Sequence, residues 1–84
     1  MKILFLPQAE KSLEKFFKQD QLFIIKKILH LEKIKNPLII KNIKKVKLFN
    51  FFRLRIINFR VFFEIKDNEI LISEIRRRSE KTYR

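Results

Sequence analysis

The stretch that most constrains the fold is FRLRIINFRVFFEI, residues 52–65. Apolar side chains recur at every second position, with Phe52, Leu54 and Ile56 before Ile57-Asn58 and Phe59, Val61, Phe63 and Ile65 after it. A period of two belongs to a strand with one buried face, so the stretch predicts a hairpin turning at Ile57-Asn58. In that register 56 faces 59, 54 faces 61 and 52 faces 63, which makes one face wholly apolar. The other face carries Arg53, Arg55, Arg60 and Phe62. Arg55 then stands opposite Arg60, with Cβ atoms about 5 Å apart. Like charges so placed are destabilising. An anion that neutralises them is the simplest reason for a sheet to keep such a pair.

The elements on either side follow from similar signals. KDNE at 66–69 reads as a turn and ILISEI at 70–75 as a third strand. Pairing back through Asp67-Asn68 sets Phe62 beside Ser73 and Arg60 beside Ile75, so that Arg77 continues the arginine face. Glu74 then falls on the apolar face unless a bulge near Ser73-Glu74 turns it out. Upstream, KILFL at 2–6 is a short strand ended by Pro7, which also suits the first position of a helix. Residues 8–18 carry Ala9, Leu13, Phe16 and Phe17 at helical spacing, with both phenylalanines expected in the core. A second helix over 21–35 is expected to be capped by Asp20 and stopped by Asn36-Pro37. Its inward side chains would be Leu22, Ile25, Ile28, Leu29 and Leu31, with Lys26, Lys27 and Lys33 outward. Residues 38–50 are a lysine-studded connector and the RRRSEKTYR end is polar. The fold class is α+β: one domain over residues 1–84, with an N-terminal strand and a helical hairpin packed on a small antiparallel β-sheet.

Composition narrows the chemistry. The chain has no cysteine and a single histidine, so it offers no thiolate site and His30 has no partner histidine. No Ser-His-Asp set, phosphate loop or paired acid site is present, and neither a metal nor another cofactor is expected. MKILFLPQ is too short for the apolar region of a signal peptide. No run approaches the ~18 apolar residues of a membrane span. The expectation is a soluble cytoplasmic protein without a membrane partner.

The net charge of +12 on 84 residues points to an anionic partner. A Lys-, Ile-, Phe- and Asn-rich chain without glycine is also what an AT-rich genome produces, so part of the lysine excess is compositional. The arginines are a different matter. All seven lie at or after position 53, while lysines run throughout. Between Glu32 and Glu64 the chain carries nine cations and no acid. Pairing with Glu64, Glu74 and Glu80 is the competing structural explanation, but three carboxylates cannot neutralise the cluster. Arginines beside an exposed ring at Phe62 suit single-stranded RNA, the charges taking phosphates and the flat groups stacking on bases.

A strand-helix-helix start followed by FFRLRIINFRVFFEIKDNEILISEIRRRSEKTYR resembles the RelE/ParE superfamily of toxins from type II toxin–antitoxin modules, and most nearly its RelE-like mRNA endonucleases. The resemblance runs the length of the chain and is most specific in R-L-R, F-R-V, the I-L-I strand and the basic run closing on tyrosine. It implies ribosome-dependent cleavage of mRNA in the A site, without a metal, by attack of a ribose 2′-OH on the adjacent phosphate. It also implies a cognate antitoxin, acidic where it binds. By position, Arg53, Arg55, Arg60, Arg77 and Tyr83 correspond to the catalytic set, with Arg76 and Arg78 as the neighbouring choices for Arg77. Lys44, Lys45, Lys47, Phe62, Arg76 and Arg78 are assigned to RNA contact. Where this chain has Arg53 and Arg55 the family often has lysine, which can lose a proton; Tyr83 is then the candidate base. The turn carries Ile57-Asn58 where a glycine is common. The alternatives are a ParE-like inhibitor of DNA gyrase and a non-catalytic RNA- or ribosome-binding homologue.

Overall fold

The hairpin that the alternation predicts lies at the centre of the sheet. In the computed structural model, which describes residues 1–33, 43–45 and 51–77, strand β3 (Phe51–Ile56) pairs antiparallel with β4 (Phe59–Lys66). The pairs include Phe52 with Phe63, Leu54 with Val61, Arg55 with Arg60 and Ile56 with Phe59, the register read from the sequence. Strand β1 (Lys2–Phe5), helices α1 (Pro7–Glu14) and α2 (Lys18–Leu29), β2 (Ile43–Lys45) and β5 (Glu69–Arg77) complete the described elements. The strand order is β1-β5-β4-β3-β2.

Turn chemistry is notable because the chain has no glycine. Asp67 and Asn68 take φ of 50° and 64° between β4 and β5, which their short polar side chains tolerate best among non-glycine residues. Ile57 takes φ 41° between β3 and β4. For a β-branched residue this is a strained conformation, and it persists because the strands on both sides are locked by their register.

One face of the sheet receives the helices. Phe52, Leu54, Ile56, Phe59, Val61, Phe63, Ile70, Ile72 and Ile75 meet Ala9, Leu13, Ile24, Ile28 and Leu31 in a single core. Among the described residues no polar or charged side chain is buried. The Phe52 and Phe63 rings stack with centroids 5.4 Å apart, and Phe16 meets Phe59 at 5.0 Å.

Several details differ from expectation. The sheet is mixed, because β1 pairs parallel with β5. A fifth strand, β2, lies in what reads as connector; only its Ile43 is buried, and three residues are too few to display a period. Pro7, by contrast, opens α1 as its sequence position suggests, its missing N–H costing nothing there. Phe17 is 78% exposed and outside the core, since it is the residue before α2. Asp20 is in the first turn of α2 and is not its cap; its charge there suits the helix dipole.

In α2 the inward stripe is Ile24 and Ile28, continued by Leu31, while Leu22 and Leu29 are exposed. Two apolar stripes run side by side on this helix, both at helical spacing, and the sheet has room for one. The helix ends at Leu29 and passes into a 3-10 turn, His30–Lys33; Asn36-Pro37 lies outside the described residues.

Phe63 is fully buried against Phe52. Phe63→Ala is expected to cost about 3–5 kcal/mol, a large part of the stability of a domain this small. Urea denaturation should show a collapsed or greatly lowered midpoint. A loss below about 1 kcal/mol, the range of surface substitutions, would mean the core does not centre on this ring.

Candidate nucleic-acid interface

The face of the sheet turned away from the helices is organised by a bulge in β5. Phe62 pairs with Glu74, yet Phe63 pairs with Ile72. Ser73 is therefore the extra residue, and its Oγ donates to the carbonyl oxygen of Phe62 at 3.1 Å. The bulge changes the parity of the strand. Before it Ile70 and Ile72 face the core, and after it Ile75 does, all three at 2% exposure or less. A regular strand that buried Ile70 and Ile72 would also bury Glu74. Removing an unpaired carboxylate from water is costly, and one irregular residue avoids that.

The bulge expected near Ser73-Glu74 is thus present, but the partners are shifted from those expected. Phe62 faces Glu74, Arg60 faces Arg76 and Phe59 faces Arg77. The open face consequently displays two adjacent rows. One runs Arg55, Arg60, Arg76 across three strands, and the other runs Lys44, Arg53, Phe62, Glu74 across four. Neighbours within a row have Cβ atoms about 5 Å apart, and the rows are about 6.6 Å apart along the strands. Five cations and one carboxylate share this area.

Glu74 is committed to one of them. Its Oε2 accepts from Arg76 Nε at 2.6 Å, and the Arg76 guanidinium carbon is 5.9 Å from the Phe62 ring centroid. Among the described residues no ion pair engages Arg53, Arg55 or Arg60. Arg60 is half-buried and its Nε is buried without a hydrogen-bond partner, an arrangement that native proteins rarely leave unexplained. Carboxylate pairing accounts for Arg76 and for no other member of the row.

Arg77 does not continue this face. It is on the helix side, with its guanidinium carbon 5.1 Å and 5.7 Å from the ring centroids of Phe59 and Phe16 and Nη2 3.9 Å from Asp20 Oδ2. The residue braces the α1–α2 turn against the end of the sheet. Adjacent arginines in one strand must point to opposite faces, and the bulge decides which faces which way. Lys44 shares the Arg53 row, whereas Lys45 pairs with Phe52 on the helix side at the sheet edge. Lys47, Arg78 and Tyr83 lie outside the described residues. His30 is exposed. Among the described residues no three His, Asp or Glu side chains come together as a metal site would need. Glu74 is on the open face, where the expected bulge would turn it; the sequence signal is the spacing of Ile70, Ile72 and Ile75, which no unbroken strand can bury together.

A helical hairpin on one side of a mixed five-stranded sheet is an α+β fold that RelE-like structures share. Solved structures superpose over nearly the whole chain. RelE from the archaeal RelE–RelB complex of Pyrococcus horikoshii aligns with a TM-score of 0.77 at 19% identity, covering 94% of this chain and 96% of that one. The intact RelBE toxin–antitoxin complex of E. coli gives 0.75 at 12% identity, with 94% and 98% covered. The YoeB–YefM complex of Staphylococcus aureus gives 0.67 at 29% identity, with 90% and 94% covered. A comparison with curated protein sequences found no match. Residues 3–82 match the family described as the ParE toxin of the type II toxin–antitoxin system parDE, and the chain belongs to that family.

The two faces make Arg76 and Arg77 separable by experiment. Arg77→Ala removes two ring contacts, each worth about 0.5–1 kcal/mol at partly exposed sites, and should lower stability by about 1–2 kcal/mol in urea denaturation. Arg76→Ala should change it by less than about 1 kcal/mol, as exposed ion pairs do. Equal losses would rule out the bracing role of Arg77.

Proposed function

We propose that this chain is a ribosome-dependent mRNA endonuclease, cleaving in the A site by attack of a ribose 2′-OH on the adjacent phosphate, and that a cognate antitoxin holds it inactive. The observation that carries this reading is the row Arg55, Arg60, Arg76 with Arg53 beside it, in which, among the described residues, only Arg76 is held in an ion pair, by Glu74. A phosphate passing through a phosphorane gains negative charge on its oxygens, and guanidinium groups already set in place stabilise that charge without reorganising. In this reading Arg53, Arg55 and Arg60 clamp the scissile phosphate. Arg76 takes the position at the leaving 5′ oxygen that the resemblance gave to Arg77, because Arg76 is the one that shares the row. Tyr83 accepts the 2′-OH proton. The oxygen so freed bonds to phosphorus as the 5′ oxygen leaves, its charge stabilised by Arg76 and then neutralised by a proton from water, giving a 2′,3′-cyclic phosphate and a 5′-OH. Acid–base assistance of this kind is worth ~10²–10⁴ in rate.

The antitoxin partner is supported by the structural neighbours, which are toxin–antitoxin complexes. On this chain it would be acidic, to match the net charge of +12. It would cover apolar surface such as Phe17 and Leu22, 78% and 62% exposed. A ribosomal target places the protein in the cytoplasm; among the described residues no helix is long and apolar enough to cross a membrane. The family match favours a second reading, inhibition of DNA gyrase by protein binding, which has no use for an arginine row aimed at phosphates.

Primer extension on ribosomes programmed with a defined mRNA is the direct test. Cuts within the A-site codon, absent on free mRNA and abolished in Arg60→Ala, are the expected result. Intact messenger together with inhibited gyrase supercoiling would establish the second reading instead.

Two variants test the roles. Arg55→Ala should reduce the log–log salt dependence of RNA binding by ~0.7 for each phosphate it no longer neutralises, and an unchanged slope removes Arg55 from the phosphate path. Tyr83→Phe should slow cleavage while ribosome binding is retained, and full activity ends its candidacy as the base.

A further inference from the structure

A carboxylate at the end of a row of cations, beside Arg76, demands its own explanation. Glu74 weakens the attraction of that face for phosphate, and a neutral residue at this position would serve phosphate binding better. Its surroundings are specific. Cross-strand from it is Phe62, and Arg76 Nε holds its Oε2 at 2.6 Å. Among the described residues Oε1 makes no hydrogen bond. The side chain is 30% exposed, against 65% for Arg76, so the carboxylate is half-sheltered and reached from the open side. The Ser73 bulge, tied by its hydroxyl to the Phe62 carbonyl, sets the three side chains together.

We propose that Phe62, Arg76 and Glu74 form a nucleobase-reading site, in which Glu74 accepts from the exocyclic amino group of guanine, adenine or cytosine and so selects against uracil. This rests on the reading that the open face binds RNA. The Phe62 ring and the Arg76 guanidinium are flat groups on which a base stacks. An ionised carboxylate can only accept hydrogen bonds. Each amino-bearing base sets an N–H donor beside a ring or carbonyl acceptor, and the Glu74–Arg76 pair answers with an acceptor beside the guanidinium's remaining donors. Uracil has no amino group, and its one N–H lies between two carbonyl oxygens, so a carboxylate that accepts from it is repelled by an oxygen on either side. The phosphate-binding row and this site are neighbours, since Arg76 belongs to both. A base stacked here therefore registers its own nucleotide against the arginines.

The test is equilibrium binding of the full chain to fluorescent single-stranded nine-nucleotide RNAs at fixed salt. One RNA is all uridine, and the others replace its central uridine with guanosine, inosine, adenosine or cytidine. A well-made base contact discriminates by about 1–3 kcal/mol, so RNAs with guanosine, adenosine or cytidine should bind about tenfold more tightly than the all-uridine one. Inosine, which keeps the purine ring and lacks the exocyclic amino group, should lose the advantage of guanosine. Glu74→Ala, which removes the acceptor as well as the charge, should bind the all-uridine RNA at least as tightly as the natural chain, with the guanosine–inosine difference reduced to under about twofold.

Equal binding of guanosine and inosine RNAs by the natural chain overturns the proposal without any variant. So does a Glu74→Ala protein that still discriminates. Tight, salt-dependent binding with no base preference defeats the base-reading site alone. No binding of any RNA by the folded chain defeats the RNA reading, and this inference with it.

Discussion

Everything in this molecule depends on the parity of side chains across β3, β4 and β5. A strand offers alternate residues to opposite faces, so a sheet covered on one side must sort its residues strictly. Here the covered side takes Phe52, Leu54, Ile56, Phe59, Val61 and Phe63 from the central hairpin. The arginines between them have no choice of direction. Burial of the phenylalanines and isoleucines aligns the guanidinium groups, and the hydrophobic effect supplies the free energy that holds like charges side by side.

The bulge at Ser73 extends this logic to β5. It allows Ile70, Ile72 and Ile75 to be buried in one strand and sends Glu74 and Arg76 to the open face while Arg77 goes to the helices. The two arginines, adjacent in sequence and alike in chemistry, come to serve different ends. Arg77 commits its charge to two rings and Asp20, fastening the helical hairpin. Arg76 joins the row and brings a carboxylate with it. The cationic face is thus built on three paired strands, whose register sets the side from which each side chain projects.

Much of this was legible in the sequence. The hairpin, its turn at Ile57-Asn58 and its register follow from strict alternation over residues 52–65, because a slip of one residue would have put three arginines in the core. The α+β class followed from the change of period between the helical and strand segments. The helix phase was not legible, since Leu22 and Leu29 are spaced as regularly as Ile24 and Ile28. Strand β2 was too short to carry a pattern. Its Lys44 joins the Arg53 row only because Ile43 anchors the strand beside Leu54.

By itself the sequence determined which residues are available for an anion and that Arg53, Arg55 and Arg60 share one face, because local alternation admits one register. The tertiary structure decided the rest of the site. Whether Arg76 or Arg77 completes the row depends on a single extra residue in β5, and that residue is required only because three isoleucines must meet helices that approach from far away in the chain. At one edge the sheet is joined by β1 pairing parallel with β5, segments far apart in the sequence. A choice made by packing between distant segments leaves no local period, so it can be seen only once the chain is folded.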